Sequence, residues 1–189
     1  HRLLIATVEG GLDWKALADL GPGDQVATQY GTDLWAAEPP RLEGFTPTSL
    51  YGSQKRIVIP EAMSDDLAFF LGAYAAEGHI SRSNHTVRIA NTDEGVIARL
   101  LAITEALFGC AARVARQVGK CPSVEISSKT LVEFFDYLGC GDRSQTKRIP
   151  DAVLQSPKPM VLAFLEGQTG LSGSGGGAGG GVTGWAIHI

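Results

Sequence analysis

At 189 residues and 44% hydrophobic content, the chain is long enough to bury one ordinary core or two small ones, which excludes an intrinsically disordered protein. No apolar run reaches the roughly 18 to 20 uncharged residues that span a bilayer, and no basic-then-apolar secretion signal opens the chain, so a cytoplasmic protein without a membrane partner is expected. The net charge of −4 excludes a uniformly basic surface, but the charge is uneven: residues 1–66 hold five Lys/Arg against ten Asp/Glu, whereas residues 79–148 hold ten against seven, which suits the middle of the chain to facing an anion.

The chain begins at His1 without Met and reads as a piece of something longer. Its first 37 residues alternate short apolar runs with turn signals ("HRLLIATV", "EGG", "LDWKALADL", "GPGD", "QVATQYG"), the pattern of a small, mostly β segment. A breaker-rich stretch without sustained period follows. The expected boundaries are a β segment over residues 1–45, a linker over 46–62 and a second domain over 63–189.

From residue 64 the period becomes helical. Leu67, Phe70, Leu71, Tyr74 and Ala75 fall on one stripe after the cap candidates Ser64, Asp65 and Asp66. "HISRSN" and "HTVRIAN" read as a hairpin. "TDEGVIARLLAITEALFG" reads as a helix opened by Thr92 or Asp93 and closed by Gly109. "AARVARQVGK" and "PSVEISS" form a second hairpin, and "KTLVEFFDYLGC" a short amphipathic helix. After the breaker-rich "IPDAVLQSPKP", "KPMVLAFLEG" is one more helix. It runs into a Gly-rich linker over 173–181, and "VTGWAIHI" reads as a last strand. Cys110, Cys121 and Cys140 form no Cys-x-x-Cys pair, so they read as buried thiols in a reducing compartment rather than as a disulfide framework or a zinc site.

One stretch of this α+β pattern is costly in isolation: "LGAYAAEGHI" is small-rich and apolar, then ends on Glu77, a carboxylate at the unfavourable end of the helix dipole. Placed on the helix-strand-strand-helix-strand-strand-helix order of residues 64–170, this stretch resembles the signature helix of the LAGLIDADG homing endonucleases. "TKRIPDAVLQSPKPMVLAFLEG" is similar to the segment that joins the two halves of that family. The two helices align at an offset of 95 residues, Leu71-Gly72 with Glu166-Gly167 and Gly78 with Gly173, which implies a pseudo-twofold repeat. The N-terminal "HRLL" and "GGLDWKALADLGPGDQVAT" resemble the splicing (Hint) domain of inteins.

The resemblance implies an αββαββα half and the start of a second half, with the paired helices meeting through Gly72, Ala73 and Ala76. It also implies double-stranded DNA as partner and Mg²⁺ as cofactor, held by Glu77 with Gly78 beside it, for phosphodiester hydrolysis. Lys147 is the expected assisting cation, stabilising phosphate charge or ordering water. In the hairpins, alternation sets Thr86 and Arg88 opposite Val87 and Ile89, and Arg113 and Gln117 opposite Val114 and Val118. With Arg82, Arg116 and Lys120 these polar positions form the expected DNA face. His1 is the candidate assisting histidine of splicing.

The chain departs from the family pattern where the second acid is expected, because Ser172 stands there and a hydroxyl is a poor Mg²⁺ ligand. Nicking, or no cleavage, is therefore expected. The second half is short, so either a pseudo-dimeric monomer or a homodimer is implied. The rival readings are a catalytically degenerate DNA-binding module and a structural intein remnant.

Overall fold

The computed structural model describes residues 2–27, 35–48 and 57–170. His1, the residue aligned with the second acid, Ser172, the Gly-rich tract and the last expected strand lie outside them. The chain divides into two compact units, one ending at Leu34 and the other starting at Trp35.

In the first unit, β1 (Arg2–Ala6) and β2 (Leu12–Ala16) form an antiparallel hairpin, extended by a bridge between Ile5 and Val26. Lys15 and Asp24 make an ion pair of 2.7 Å, which with the backbone N–H of Gly21 holds the Asp24 carboxyl below its usual range. None of the described residues of this unit is buried. The core belongs to the second unit.

That unit starts earlier than composition indicates. Residues 40–48 carry no period because they form no regular element, yet they are tied down at both ends. Leu42 is buried and donates its N–H to Glu61, while Met63 donates to Pro40. Phe45 packs edge-on to Phe134, 5.4 Å between centroids, and the N–H of Thr48 donates to the Glu133 carboxylate. Residues 35–45, expected in the first segment, thus fall in the second unit.

Helix α1 (Asp65–Glu77) starts where Ser64 Oγ accepts the N–H of Leu67, with Asp65 and Asp66 favourably placed in its first turn. Strands β3 (Gly78–Ser81) and β4 (Thr86–Ala90) follow as a hairpin. Helix α2 (Glu94–Phe108) is capped by Asp93, whose Oδ1 accepts from Gly95 and Val96, and ends on Gly109 in the left-handed conformation. Strands β5 (Arg113–Ala115) and β6 (Ser123–Ser127) and helix α3 (Lys129–Tyr137), capped by Ser128, complete the expected order. A one-turn helix α4 (Asp151–Leu154) lies in the segment read only as breaker-rich, where the carbonyl of the N-cap residue Pro150 accepts the N–H groups of Val153 and Leu154. Helix α5 (Lys158–Thr169) ends on Gly170, also left-handed.

The four strands form one antiparallel sheet in the order β3-β4-β6-β5. Ile80, Val87, Ile89, Val124 and Ile126 point from one face into the core beneath α1, α2 and α3. Strand β5 is shorter than the alternation indicates: it stops at Ala115, and Val118, expected to face inward, is fully exposed in the turn.

Candidate nuclease site and nucleic-acid face

The position of Glu77 follows from how α1 is buried. The stripe read from the sequence accounts for the side facing the sheet, but α1 is buried all round from Leu67 to Tyr74 because α5 covers its other side. The two helices meet backbone to backbone. A Cβ on Gly72 would lie 1.9 Å from the carbonyl oxygen of Phe164, and a Cβ on Gly167 would lie 2.1 Å from that of Phe69. The next contacts are Gln168 N for Gly72 and Ala73 N for Gly167. Each glycine therefore meets the residue three before and the residue one after its counterpart, a reciprocal pattern that carries the 95-residue offset into three dimensions. Arg99 clamps the pair, with its guanidinium 3.6 Å from the Phe69 ring centroid and 2.7 Å from the Glu166 carboxylate.

This packing sends the C-terminal end of α1 outward, where Glu77 is exposed. Lys147 is brought to the same helix end. Its Nζ lies 3.3 Å from the carbonyl oxygen of Ala75 and 3.4 Å from that of Ala76, so an ammonium caps the negative end of the dipole. It also lies 5.4 Å from the Tyr74 ring centroid. Burial lowers the Lys147 pKa from its ordinary value, and the negative charge of Glu77 partly restores it.

Tyr74 joins these parts. Its ring packs edge-on to Phe135 and its hydroxyl donates to the carbonyl of Gly141, which opens the loop carrying Lys147. Gly78 is glycine for steric reasons, since a Cβ there would lie 2.2 Å from the Tyr74 ring and 2.4 Å from its carbonyl. Within the loop, Thr146 Oγ1 accepts the N–H groups of Asp142 and Arg143.

The expected face residues divide by what they touch. Arg82 donates through both Nη atoms to Asp136 and through Nε to Asp142, so it braces the Lys147 loop. Thr86 is buried, its hydroxyl shared with Asn84 and Ser127. Arg88 and Arg113 do stand on the outer face of the sheet, opposite Val87, Ile89 and Val114. Arg116 pairs with Glu94 at 2.7 Å beyond the end of β5, and Gln117 and Lys120 lie in the following turn. The alternation of "SVEIS" shows that Glu125 points outward, but only the strand order reveals that it sits between Arg88 and Arg113.

One exposed carboxylate is a fair fit for Mg²⁺, a hard ion that takes oxygen ligands and is typically held by one or two carboxylates together with phosphate oxygens and waters. Among the described residues there is no cluster of three or more His, Cys, Asp or Glu for a self-sufficient metal centre. No described helix is long and apolar enough to cross a membrane.

Among the described residues, the second helix lacks the surroundings of the first. α5 is capped at Gly170, the counterpart of Ala75, and so ends before the position aligned with Glu77. Leu162, the counterpart of fully buried Leu67, is 52% exposed.

Residues 64–139, the run from the cap of α1 to the end of α3, match the family model of the LAGLIDADG-like domain. This segment is a LAGLIDADG-like domain. Domains of this family are in general divalent-metal-dependent endonucleases that act on double-stranded DNA. The chain is also similar to parts of much longer archaeal proteins. A replication factor C small subunit of Methanocaldococcus jannaschii is 28% identical over 168 residues, 87% of this chain and 8% of that protein. A component of the A-type ATP synthase of Pyrococcus abyssi is 33% identical over 115 residues, 59% of this chain and 11% of that protein. A DNA polymerase of Thermococcus hydrothermalis is 32% identical over 112 residues, 56% of this chain and 6% of that protein. The chain thus spans about a tenth or less of the length of these relatives, whose names range from DNA replication to ATP synthesis.

Proposed function

We propose that this chain carries one strand-cutting site of an intein-borne homing endonuclease, and that it nicks duplex DNA. The observation that carries this reading is the meeting of Glu77 and Lys147 at the exposed end of a helix fixed by glycine-to-backbone packing. The similarity to short segments of proteins as different as a DNA polymerase and an ATP synthase subunit supports an inserted element, since a shared host function does not explain it. The first unit, with its hairpin and its bridge at Val26, is then the flanking splicing-type segment.

In this reading the outer sheet face lies along the duplex and delivers one phosphate to the end of α1. Glu77 holds a divalent ion there through its carboxylate, next to the backbone of Gly78. The ion, when bound, supplies Lewis-acid stabilisation of the phosphate and lowers the pKa of a water. Lys147 stabilises negative charge that grows on the phosphate oxygens, and its partial burial between Tyr74 and two carbonyls keeps that charge poorly screened. Tyr74 and Arg82 hold the Lys147 loop in place.

The early end of α5 favours cutting of one strand over two. It also bears on assembly, because α5 already fills the face through which a second copy would offer its own α1. The helix pair is therefore made within one chain.

Supercoiled plasmids with random inserts, incubated with the full chain and Mg²⁺, give the test. Nicked circles that vanish in chelator are expected. Linear product would show two working sites, and salt-sensitive binding without nicks would favour the degenerate DNA-binding module.

A further inference from the structure

The arginines on and around the outer sheet face are not equivalent, and the difference lies in which nitrogens are occupied. Arg82 uses all three of its donor nitrogens on Asp136 and Asp142. Arg113 donates through Nε and Nη2 to Glu125, and Arg116 through Nη2 to Glu94. Arg88 differs. Its Nε lies 3.0 Å from Glu125 Oε1, a charge contact outside the donor direction, and its two Nη atoms donate to no group among the described residues.

Glu125 is the unusual member of this row. Its side chain is only 5% exposed, although it lies on the solvent face of the sheet, because Arg88 and Arg113 flank it from the neighbouring strands. The register places His79, Arg88, Glu125 and Arg113 in one row across all four strands. A buried carboxylate kept between two cations is strongly committed to them, since removing either cation leaves a charge without a partner.

We infer that Arg88, held by the buried carboxylate of Glu125, reads a guanine in the bound duplex, and that Glu125 is the positioning residue behind that selectivity. This rests on the DNA-binding reading above. The outward edge of Arg88 is a two-nitrogen fork that matches the O6 and N7 acceptors of guanine. The charge contact with Glu125 limits the rotamers the fork loses on binding. The adjacent carboxylate repels phosphate, which needs only a positive charge, more than it disturbs a neutral base edge.

The full chain, incubated with a duplex pool carrying a random core, is taken through rounds of binding, and the bound DNA is sequenced. The wild type is expected to enrich a motif with one strongly preferred guanine that depends on Arg88. R88K lowers that preference about tenfold and leaves the other positions unchanged. R88Q shifts the same position toward adenine, whose N6 and N7 match an amide. E125Q weakens the same preference while raising affinity for the unselected pool, because it removes a negative charge. An unchanged motif in R88K and R88Q, or a uniform loss across all positions in E125Q, overturns the inference. Salt-dependent binding without any enriched guanine overturns it too but leaves DNA binding standing, whereas no binding at all overturns the reading on which it rests.

Discussion

Replacing Gly72 by alanine sets two physical effects in direct opposition. In a helix interior, alanine is favoured over glycine by about 0.5 to 1 kcal/mol, so helix propensity alone predicts a more stable protein. The packing predicts the reverse. The new methyl would begin 1.9 Å from the Phe164 carbonyl oxygen, a backbone atom in the middle of α5, and ordinary contact needs at least 3.4 Å. The helices must part by more than an ångström, which loosens Phe69, Ala73, Ala163 and Phe164, all buried. Overpacking of this kind costs about 1 to 3 kcal/mol, and a rigid backbone neighbour puts Gly72→Ala near the upper end. The midpoint of thermal unfolding, followed by circular dichroism, should fall by roughly 10 °C for a domain of this size. Gly167→Ala should cost a similar amount, since its Cβ meets Phe69 in the reciprocal way. The double variant should cost clearly less than the sum, because helices already parted by one methyl accept the second more readily. A stability change within about 0.5 kcal/mol of zero, or any stabilisation, would refute the glycine-to-backbone packing of α1 on α5.

Tyr74→Phe removes the hydrogen bond to Gly141; a loss of about 1 kcal/mol in unfolding free energy is expected, with nicking slowed and affinity for DNA unchanged in a binding titration. Arg82→Gln frees the Lys147 loop, so it should lower the nicking rate while leaving the salt slope of DNA binding as in the wild type; a shallower slope would make Arg82 a phosphate contact instead. Burial lowers the Lys147 pKa in the folded state, so the unfolded chain binds more protons between the folded value and the ordinary 10.5. Wild-type stability should therefore improve relative to Lys147→Met as pH rises through that window, read from denaturant midpoints at a series of alkaline pH values. A maleimide reagent should label exposed Cys121 in the native protein and reach buried Cys140 only after unfolding, as peptide mapping would show.

The elements from α1 to α3 are legible in the sequence because each is written locally. Ser64 and Asp93 are cap candidates whose side chains do accept N–H groups of the first turn, Gly109 closes α2, and alternation separates Val87 and Ile89 from Arg88. The helix pair is legible through the spacing of Gly72 and Gly167, and Glu77 with Lys147 through the resemblance. What escapes depends on partners distant in sequence. Phe45 and Thr48 sit in a stretch without period, so nothing local shows that α3 holds them. The ion pairs of Arg82 join residues more than 50 positions apart, and a basic residue in a hairpin reads as a free contact until its carboxylates are found. Glu125 escapes for the same reason: its importance lies in the strand order, which sets β6 between β4 and β5.

On the proposed reading, Glu77 belongs to the chemistry and not only to the surface of a DNA-binding domain. Glu77→Gln keeps the size and the hydrogen-bonding capacity of an exposed side chain, so the fold should be unaffected. The direct measurement is the rate of nick formation in supercoiled DNA, with Mg²⁺ present, for the wild type and Glu77→Gln at matched DNA occupancy. Nicking by the wild type is expected, with a loss of at least about a hundredfold in the variant, the scale of removing a group that stabilises transition-state charge. Equal rates in the two proteins would contradict that reading.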